Sequence, residues 1–502
     1  MARIKGTSGN DNLVGTASND TLIGGSGNDN LSGGTGTDTA QYAGNIADYR
    51  FSNVDGKLVV TNDAEGKDTL TSVETLQLGN GQLSLTSGQL LVSANNVDSF
   101  TNVISKHITT LADGGFVVAW TSPEQEGEFG DGSGVFAQRF DALGVAQGSE
   151  FLVNTTITLE QYEPSITALA DGGFVVTWTG GFVSDADIFA QRFDASGNKQ
   201  GAEFVVNTTT ALNQDASNVI ALADGSFVVI WHSNDTGGIG VFAQRFDVNG
   251  NKLGTEFQVN TELTNHQYYP DITTLVDGGF VITWASLEQD GSLSGIFAQR
   301  YDASGAAQGL EFQVNTYTTS DQFSSKVTAL SNGGFVITWI SQGQDSDGWG
   351  IYAQRYDANG NKQGTEFQVN TYTPSNQFVS GITTLVDGGF VVTWQSALQD
   401  GDGNGVYAQR YDASGNRLGN EFRVNTDTIG IQSYAGITAL ADGGFVVDWT
   451  SRNPSNAAGT IYAQRYDAAG NAVGLKLTGT NNTEIINLDA GTAGLVVDGL
   501  AG

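Results

Sequence analysis

Residues 171–178 read DGGFVVTW, and close copies of this phrase recur through most of the chain. Each copy continues into an AQRFD or AQRYD segment, and six of the copies then reach an EFxVNT segment. The phrase therefore belongs to a unit of four short strands, with turns such as ADGG and DASGN between them. The seven copies end on tryptophans spaced 53 to 58 residues apart: Trp120, Trp178, Trp231, Trp284, Trp339, Trp394 and Trp449.

Units of four strands at this period are typical of β-propeller blades. Seven blades can close into a ring that protects the strand edges, whereas a linear solenoid would leave two open ends. The seventh copy lacks EFxVNT, and the spacing used by the other copies places the missing strand near Asn96. We therefore predict a seven-bladed propeller over 89–478, with its ring closed by a strand near 89–97.

A second, shorter repeat occupies the N-terminus. Residues 24–32 read GGSGNDNLS, with related stretches at 6–14, 15–23 and 33–41. Each nonapeptide reads as a glycine-rich turn bearing one aspartate, followed by a very short strand with one inward apolar residue. Carboxylates combined with backbone carbonyls are the ligands that calcium prefers. The four aspartates recur every nine residues: Asp11, Asp20, Asp29 and Asp38.

This pattern resembles the RTX (hemolysin-type) calcium-binding nonapeptide, GGxGxDxUx. The resemblance implies a parallel β-roll over 1–41 in which two nonapeptides form one coil. It also implies calcium ions held between turns two repeats apart, pairing Asp11 with Asp29 and Asp20 with Asp38. The first two repeats depart from the pattern, since Thr7 and Thr16 replace its second glycine. The alternative is a turn-rich segment without metal, but stacked carboxylates without a cation would repel one another.

Residues 42–88 are predicted to form a β cap, because four nonapeptides make too little core alone. YRF, KLVV and ETLQL read as short strands separated by NVDG and NDAEG turns. The segment resembles the one that follows RTX repeats in secreted proteases of the serralysin type. No HExxH motif accompanies it. Residues 479–502 look like the opening of a further Gly/Asp-rich repeat region that stops short, as in a fragment.

Composition limits the partners. The 54 acidic and 21 basic residues give a net charge of −33, which disfavours nucleic acid and anionic membranes and attracts cations. There is no cysteine, no apolar run that could serve as an N-terminal signal peptide and no stretch long enough for a membrane helix. The RTX resemblance implies an extracellular protein, exported without a cleaved leader by a type I-like route and folded outside the cell by calcium.

Residues present in every blade are expected to be architectural, so function is sought in what varies. The loops between the tryptophan strand and the AQR strand differ most, and one carries Trp349, which either stacks on a sugar ring or packs on a neighbouring loop. Two of these loops alternate aspartate with glycine or serine; turn formation is favoured there and weak calcium binding is the alternative. These additional candidate metal ligands are Asp345, Asp347, Asp400 and Asp402.

No catalytic constellation is visible, because there is no cysteine and no GxSxG motif, and the three histidines occur in unrelated contexts. The sequence therefore predicts a calcium-binding secreted bacterial protein, not an enzyme, whose propeller is a recognition or adhesion module for a glycan or a cell surface. The alternatives are a propeller-based carbohydrate-active enzyme and a structural component of a surface layer or matrix.

Overall fold

The computed structural model describes two compact units, residues 1–90 with 143–145 and 464–502, and residues 91–142 with 146–463. Both are built from β-strands, and among the described residues the one helical element is a single 3₁₀ turn. Nor is there, in these described parts, any helix with the length and hydropathy needed to cross a membrane. The described residues are 2–34, 37–54, 57–79, 81–87, 90–93, 107–123, 132–142, 144–182, 185–210, 212–234, 238–453, 456–473, 475–479, 487–488 and 495–498.

The nonapeptides form a parallel β-roll, as predicted. Each contributes a three-residue strand, and the odd-numbered and even-numbered strands lie in two different sheets. Pairing is parallel and joins residues 18 apart, such as Asn12 with Asn30 and Thr21 with Thr39. Two nonapeptides therefore make one coil. The strands are β1 (Arg3–Lys5), β2 (Asn12–Val14), β3 (Thr21–Ile23), β4 (Asn30–Ser32) and β5 (Thr39–Gln41).

The cap prolongs this roll by one coil. β8 (Gly66–Thr71) pairs in parallel with β4, and β9 (Thr75–Leu78) pairs in parallel with β5. Before this coil the chain inserts two antiparallel strands, β6 (Arg50–Val54) and β7 (Lys57–Asn62). The three strands predicted in the cap correspond to β6, β7 and β9. The elements are a 3₁₀ turn (Ile46–Asp48), β6 (Arg50–Val54), β7 (Lys57–Asn62), β8 (Gly66–Thr71), β9 (Thr75–Leu78) and β10 (Gly81–Ser87).

Roll and cap share one apolar core. The inward residue of each nonapeptide strand packs against apolar side chains of the cap, which supply the area that two coils lack. The members contributed by the repeats are Leu13, Leu22, Leu31 and Ala40, and those from the cap include Tyr42, Ile46, Tyr49, Phe51, Leu58, Leu70 and Leu76.

Between residues 108 and 473 the chain forms seven consecutive antiparallel sheets of four strands each, preceded by β11 (Leu90–Ser93). Each spans one copy of the long repeat, with the DGG turn between its first two strands. The blades are β12–β15 (Ile108–Thr110, Phe116–Pro123, Ser133–Phe140, Phe151–Leu152), β16–β19 (Gln161–Ala168, Phe174–Phe182, Asp185–Phe193, Lys199–Val205), β20–β23 (Gln214–Ala221, Phe227–Asn234, Gly238–Phe246, Lys252–Gln258), β24–β27 (Asn265–Thr274, Phe280–Leu287, Ser294–Tyr301, Ala307–Gln313), β28–β31 (Gln322–Ala329, Phe335–Gln342, Trp349–Tyr356, Lys362–Gln368), β32–β35 (Gln377–Thr384, Phe390–Ala397, Asn404–Tyr411, Arg417–Arg423) and β36–β39 (Ile431–Ala439, Phe445–Asn453, Asn456–Tyr466, Ala472–Val473).

The blades close into a seven-bladed β-propeller. The first strand of each blade, called the inner strand below, contacts that of the next, and β12 of blade 1 contacts β36 of blade 7. At this junction the Thr110 hydroxyl lies 3.0 Å from the Thr438 hydroxyl and donates to the Ala439 carbonyl. β11 is hydrogen-bonded beside β38 of blade 7. The predicted closing strand near 89–97 overlaps β11, and residues 89 and 94–97 lie outside the described residues.

Repeated residues join the blades, as expected. Trp284 of blade 4 is fully buried and packs in one cluster with Val228 and Ile230 of blade 3. Arg139 donates to the Ser196 carbonyl in the next blade and lies 3.6 Å from Asp113 of its own DGG turn. Repeated aspartates such as Asp113 also accept backbone N–H groups within their turns, so much of the acidic excess has an architectural use.

The described C-terminal strands belong to the first unit. β40 (Leu475–Gly479) pairs antiparallel with β10. β41 (Asn487–Leu488) pairs in parallel with β6, and β42 (Leu495–Asp498) pairs in parallel with β40. The described part of 479–502 therefore extends the two sheets of the roll unit.

Candidate functional site

The nonapeptide aspartates form ladders along the roll. The backbone N–H of Asp11 donates to Asp29 Oδ1 at 2.8 Å, and that of Asp20 donates to Asp38 Oδ1 at 2.7 Å. Residues 18 apart in the chain are therefore brought together in the pairs expected from the sequence. The geometry follows from the parallel pairing, which places each turn directly against the turn one coil later.

The first two repeats satisfy their carboxylates internally. Asp11 Oδ2 accepts the backbone N–H and the hydroxyl of Thr7, at 2.6 and 2.8 Å. Asp20 Oδ2 is held in the same way by Thr16, at 2.6 and 2.7 Å. These hydrogen bonds, led by the Thr16 hydroxyl, lower the pKa of Asp20.

The last two repeats do not satisfy their carboxylates internally. Asp29 and Asp38 are 1% and 0% exposed, and the Oδ2 atom of each is buried without a hydrogen-bond partner among the described residues. Here glycines occupy the positions of the two threonines. At Gly25 (φ +106°) a Cβ would lie 2.1 Å from the Thr7 carbonyl oxygen, so only glycine fits this close approach of the backbone. A buried carboxylate oxygen without a partner is costly, and a cation removes that cost.

The donor set fits a hard cation that takes oxygen ligands. Within the described residues no three His, Asp or Glu side chains are close enough to share a metal ion. Two carboxylates per site would therefore be completed by backbone carbonyls of the turns, a combination that suits calcium better than zinc.

The ladders extend into the cap, which the sequence analysis missed. Asp68 Oδ1 accepts the backbone N–H of Asp29 at 3.0 Å, and Glu74 Oε2 accepts that of Asp38 at 2.7 Å. Burial, followed by the charge of Asp29, raises the pKa of Asp68 to about 6. The sequence contained a signal for these two ligands. Residues 68–70 and 74–76 each read acid, any residue, leucine, as the end of a nonapeptide does, but they do not continue its nine-residue period.

The propeller loop aspartates mainly connect their loops to neighbouring segments of the chain. Asp400 Oδ2 accepts the side-chain amide of Asn425 at 3.2 Å, and Asp402 Oδ2 accepts the Gly430 N–H at 3.0 Å. Asp347 accepts the Ser375 N–H at 3.2 Å and donates its own N–H to Asp345 at 3.3 Å. The structure places these four residues in turn and loop contacts.

The inner strands carry a second set of positions that differ from blade to blade. In five blades they contain a bulge whose residue has a left-handed φ of 52° to 56°, although it is not glycine. Bulges redirect side chains, and strained non-glycine residues concentrate at functional sites. These bulge residues are Glu163, Ala216, Tyr269, Ser324 and Tyr434.

Two residues beyond the bulge residues, the inner strands carry polar side chains that contact one another between neighbouring blades. Ser165 donates to Asn218 Oδ1 at 3.1 Å, and the Asn218 amide contacts Asp271 Oδ1 at 3.3 Å. Burial lowers the pKa of Lys326, against the opposing effect of Asp271. These positions hold five different polar residues in the first five blades and glycine in the last two: His107, Ser165, Asn218, Asp271, Lys326, Gly381 and Gly436.

An acidic pair lies beside the bulges of blades 2 and 3. Burial, reinforced by the charge of Asp215, raises the pKa of Glu163 to about 8. Asp215 pairs with His232, and burial lowers the pKa of that imidazole despite the nearby carboxylate. Glu163 therefore holds a proton at neutral pH beside the contact of Asp215 with His232, an arrangement that no blade-by-blade sequence pattern revealed.

Two cavities adjoin these groups. A cavity of about 480 Å³ is lined by residues that include His266, Tyr268, Asp321 and Trp349. A second cavity of about 290 Å³ is lined by residues that include Lys326 and Gln395. Tyr269 and Phe323 line both.

Comparison with known families matches the RTX calcium-binding nonapeptide repeat, in four copies, to residues 5–40. The chain thus carries RTX repeats at its N-terminus, as the sequence analysis inferred. No curated protein matches the chain significantly.

Several solved structures resemble the chain distantly. They include a protein of unknown function from Dyadobacter fermentans (11% identity, 62% of this chain and 96% of that chain, TM-score 0.47) and the polysaccharide lyase Uly1 (12%, 76% and 94%, 0.48). Another is an α-L-arabinanase of Penicillium chrysogenum complexed with arabinobiose (13%, 61% and 92%, 0.41). These likenesses are too distant to assign a ligand or an activity to this chain.

Proposed function

We propose that this chain is an exported calcium-binding protein in which ions complete the roll and the propeller acts as a recognition module. The observation that carries the proposal is the pair of buried, unpartnered Oδ2 atoms of Asp29 and Asp38. Asp11 and Asp20 contribute to the same two ion sites through the ladder, and their second oxygens are already held by threonine. Asp68 and Glu74 extend the ladder toward the cap.

Calcium binding and folding are coupled in this proposal. An ion that binds only the folded roll stabilises it by about 2.7 kcal/mol when its concentration is 100 times Kd. A chain with net charge −33 stays open more readily in a calcium-poor cytosol and folds where calcium is abundant. This coupling supports export without a cleaved leader, followed by folding outside the cell.

Calorimetric titration of the metal-stripped full chain with CaCl₂ tests the proposal. We expect saturable binding, with Asp29→Asn and Asp38→Asn each weakening it at least tenfold. Asp185→Asn removes an exposed carboxylate of blade 2 and serves as the matched control, with binding unchanged. Equal binding by the wild type and both roll variants would place the ions elsewhere and refute the proposed sites.

An enzyme acting on carbohydrate is a second candidate, favoured by one observation. Glu163 is protonated at neutral pH and lies within electrostatic reach of Asp215, and unequal carboxyl pKa values are the basis of acid and base roles in glycoside cleavage. Release of reducing ends from polysaccharides by the wild type, and its loss in Glu163→Gln, would establish activity. No release above that of Glu163→Gln would leave recognition as the function.

A further inference from the structure

We propose that the propeller binds a neutral oligosaccharide of at least two sugar units in an aromatic cleft at one end of its inner strands. The proposal rests on the recognition role given to the propeller above and names the class of ligand. The aromatic cleft is defined by six side chains: Tyr268, Tyr269, Phe323, Trp349, Phe378 and Tyr434.

The rings of the cleft follow the repeat only in part. Tyr268, Phe323 and Phe378 share one repeat position, which is aspartate in blade 3 and serine in blade 7. Trp349 occupies a position held by Ile239, Ser294 and Asn404 in other blades. All six side chains of the cleft are partly exposed, whereas the seven repeated tryptophans are at most 4% exposed. A ring that the fold needs is buried in every blade, so partly exposed rings gathered from four blades indicate a binding surface.

Ring pairs in the cleft meet edge to face. Tyr268 and Tyr269 meet at 86°, and Phe323 and Trp349 at 76°. In such a pair the edge of one ring covers one face of the other, so the remaining ring faces are available to the apolar C–H face of a sugar.

The cavity sizes fit an oligosaccharide. Cavities of about 480 and 290 Å³ are neighbours, because Tyr269 and Phe323 line both, and they form the two compartments of the cleft. Ligand pockets are commonly 300–1,000 Å³ in volume, mostly apolar, with a few placed polar groups. Two compartments of this kind accommodate two neighbouring units of one chain.

Polar groups in the larger compartment suit hydroxyls. His266 Nδ1 accepts the Ile239 N–H at 3.2 Å, which leaves Nε2 of a neutral imidazole as a hydrogen-bond donor. Asp321 supplies a carboxylate, one of whose oxygens accepts the Ser294 N–H at 3.2 Å. His232 Nδ1 is buried without a hydrogen-bond partner among the described residues. Donors and acceptors placed beside ring faces match the mixed surface of a sugar.

Charge selects a neutral ligand. The chain carries a net charge of −33, and Asp321 adds a carboxylate to the cleft wall. Lys326 is the one basic side chain among the groups lining the smaller compartment, and it is buried near Asp271. A uronate or sulfated polymer would meet repulsion without an exposed cation to offset it.

The test is calorimetric titration of the calcium-loaded full chain with cellohexaose, mannohexaose, xylohexaose, maltohexaose and, as an acidic comparator, polygalacturonate. We expect saturable binding of at least one neutral hexaose and none of polygalacturonate. Trp349→Ala and Phe323→Ala should each weaken binding at least tenfold, and Trp349→Phe, which keeps a ring, should retain most of it. Leu310→Ala, at a side chain 88% exposed outside the cleft, is the control and should bind normally.

Fluorescence provides a readout independent of folding. Acrylamide should quench chiefly Trp349, since it is the one partly exposed tryptophan among the described residues, and bound sugar should protect it. Absence of binding by every neutral hexaose, tighter binding of polygalacturonate, or undiminished binding by Trp349→Ala would overturn the proposal. Sugar binding by a chain that binds no calcium in the titration would refute the calcium function and leave the sugar site intact. Attachment of the protein to cells without binding of any sugar would support a recognition role and refute an oligosaccharide as the ligand.

Discussion

Asp29 Oδ1 accepts the backbone N–H of Asp11 at 2.8 Å, although the two aspartates are 18 residues apart in the chain. This contact joins successive coils of the roll through a side chain, in addition to the backbone pairing of Asn12 with Asn30. It orients the carboxylate of one turn over the turn of the previous coil. The same carboxylate has a second oxygen that is buried and unpartnered, which is the reason for placing a cation there.

Thr16→Val should show that the threonine hydroxyl stabilises the Asp20 carboxylate in the early repeats. The substitution removes the hydroxyl donor, which is the largest cause of the lowered pKa of Asp20. A lowered carboxyl pKa stabilises the fold above the unfolded pKa, and this stabilisation is lost as pH falls through the folded pKa. Thr16→Val should therefore be less stable than wild type at pH 7 and similar below about pH 3. Thermal unfolding across that range is the measurement, and an equal deficit at both pH values would contradict the assignment.

Leu22→Ala should destabilise the roll by about 2–5 kcal/mol, because Leu22 is fully buried in the shared core. Val14→Ala, at a side chain 60% exposed in the same roll, should change stability by no more than about 0.5 kcal/mol. The first tryptophan is Trp120, so hydrogen exchange of peptides from residues 2–34 is a better probe than fluorescence. Equal exchange in the two variants would argue against a packed roll.

His107→Ser should destabilise the junction between blades 1 and 7. His107 Nε2 lies 2.9 Å from Asp448 Oδ2, and Asp448 is 1% exposed. Removing one partner of a buried pair commonly costs about 3–5 kcal/mol. Most other blades have threonine at the position of Asp448, so His107→Ser combined with Asp448→Thr should recover most of the loss. Chemical denaturation of the four proteins of this cycle gives the coupling, and additive losses would show that the pair does not interact.

Glu163→Gln should become more stable than wild type as pH rises. The pKa of Glu163 is raised to about 8, so the folded state holds the proton more tightly than the unfolded chain does. The stabilisation from that proton is present below the unfolded pKa and is lost as pH rises toward 8. We expect no difference at pH 4 and a gain on the order of 2 kcal/mol for Glu163→Gln at pH 8.5. Asp185→Asn, at an exposed carboxylate of blade 2, controls for net charge, and an equal gain there would contradict a specific role for burial.

Much of the fold was predictable because repeats expose their own pattern. The inward positions of Leu13, Leu22 and Leu31 follow directly from the nine-residue period. The pairing of Asp11 with Asp29 followed from the RTX resemblance. Asp68 was not predicted because the insertion of β6 and β7 in the cap interrupts the nine-residue period.

The candidate propeller site was harder to predict. Variation was sought in the long loops, but the bulge residues Glu163 and Tyr269 lie on inner strands. Aligning the seven copies and searching for positions that change would have found them. An alignment of the seven copies would still not have shown that these residues lie close together, because it contains no distances.

The sequence by itself determined the roll, the blades and their order, because each depends on alternation and turn chemistry repeated within a few tens of residues. Only the tertiary structure decided which single-copy residues meet. Tyr268, Phe323 and Trp349 are separated by up to 81 residues and line one cavity because their blades are neighbours in the ring. The unpartnered oxygen of Asp29 likewise becomes visible only when the coils stack, since burial and hydrogen bonding are properties of the packed molecule.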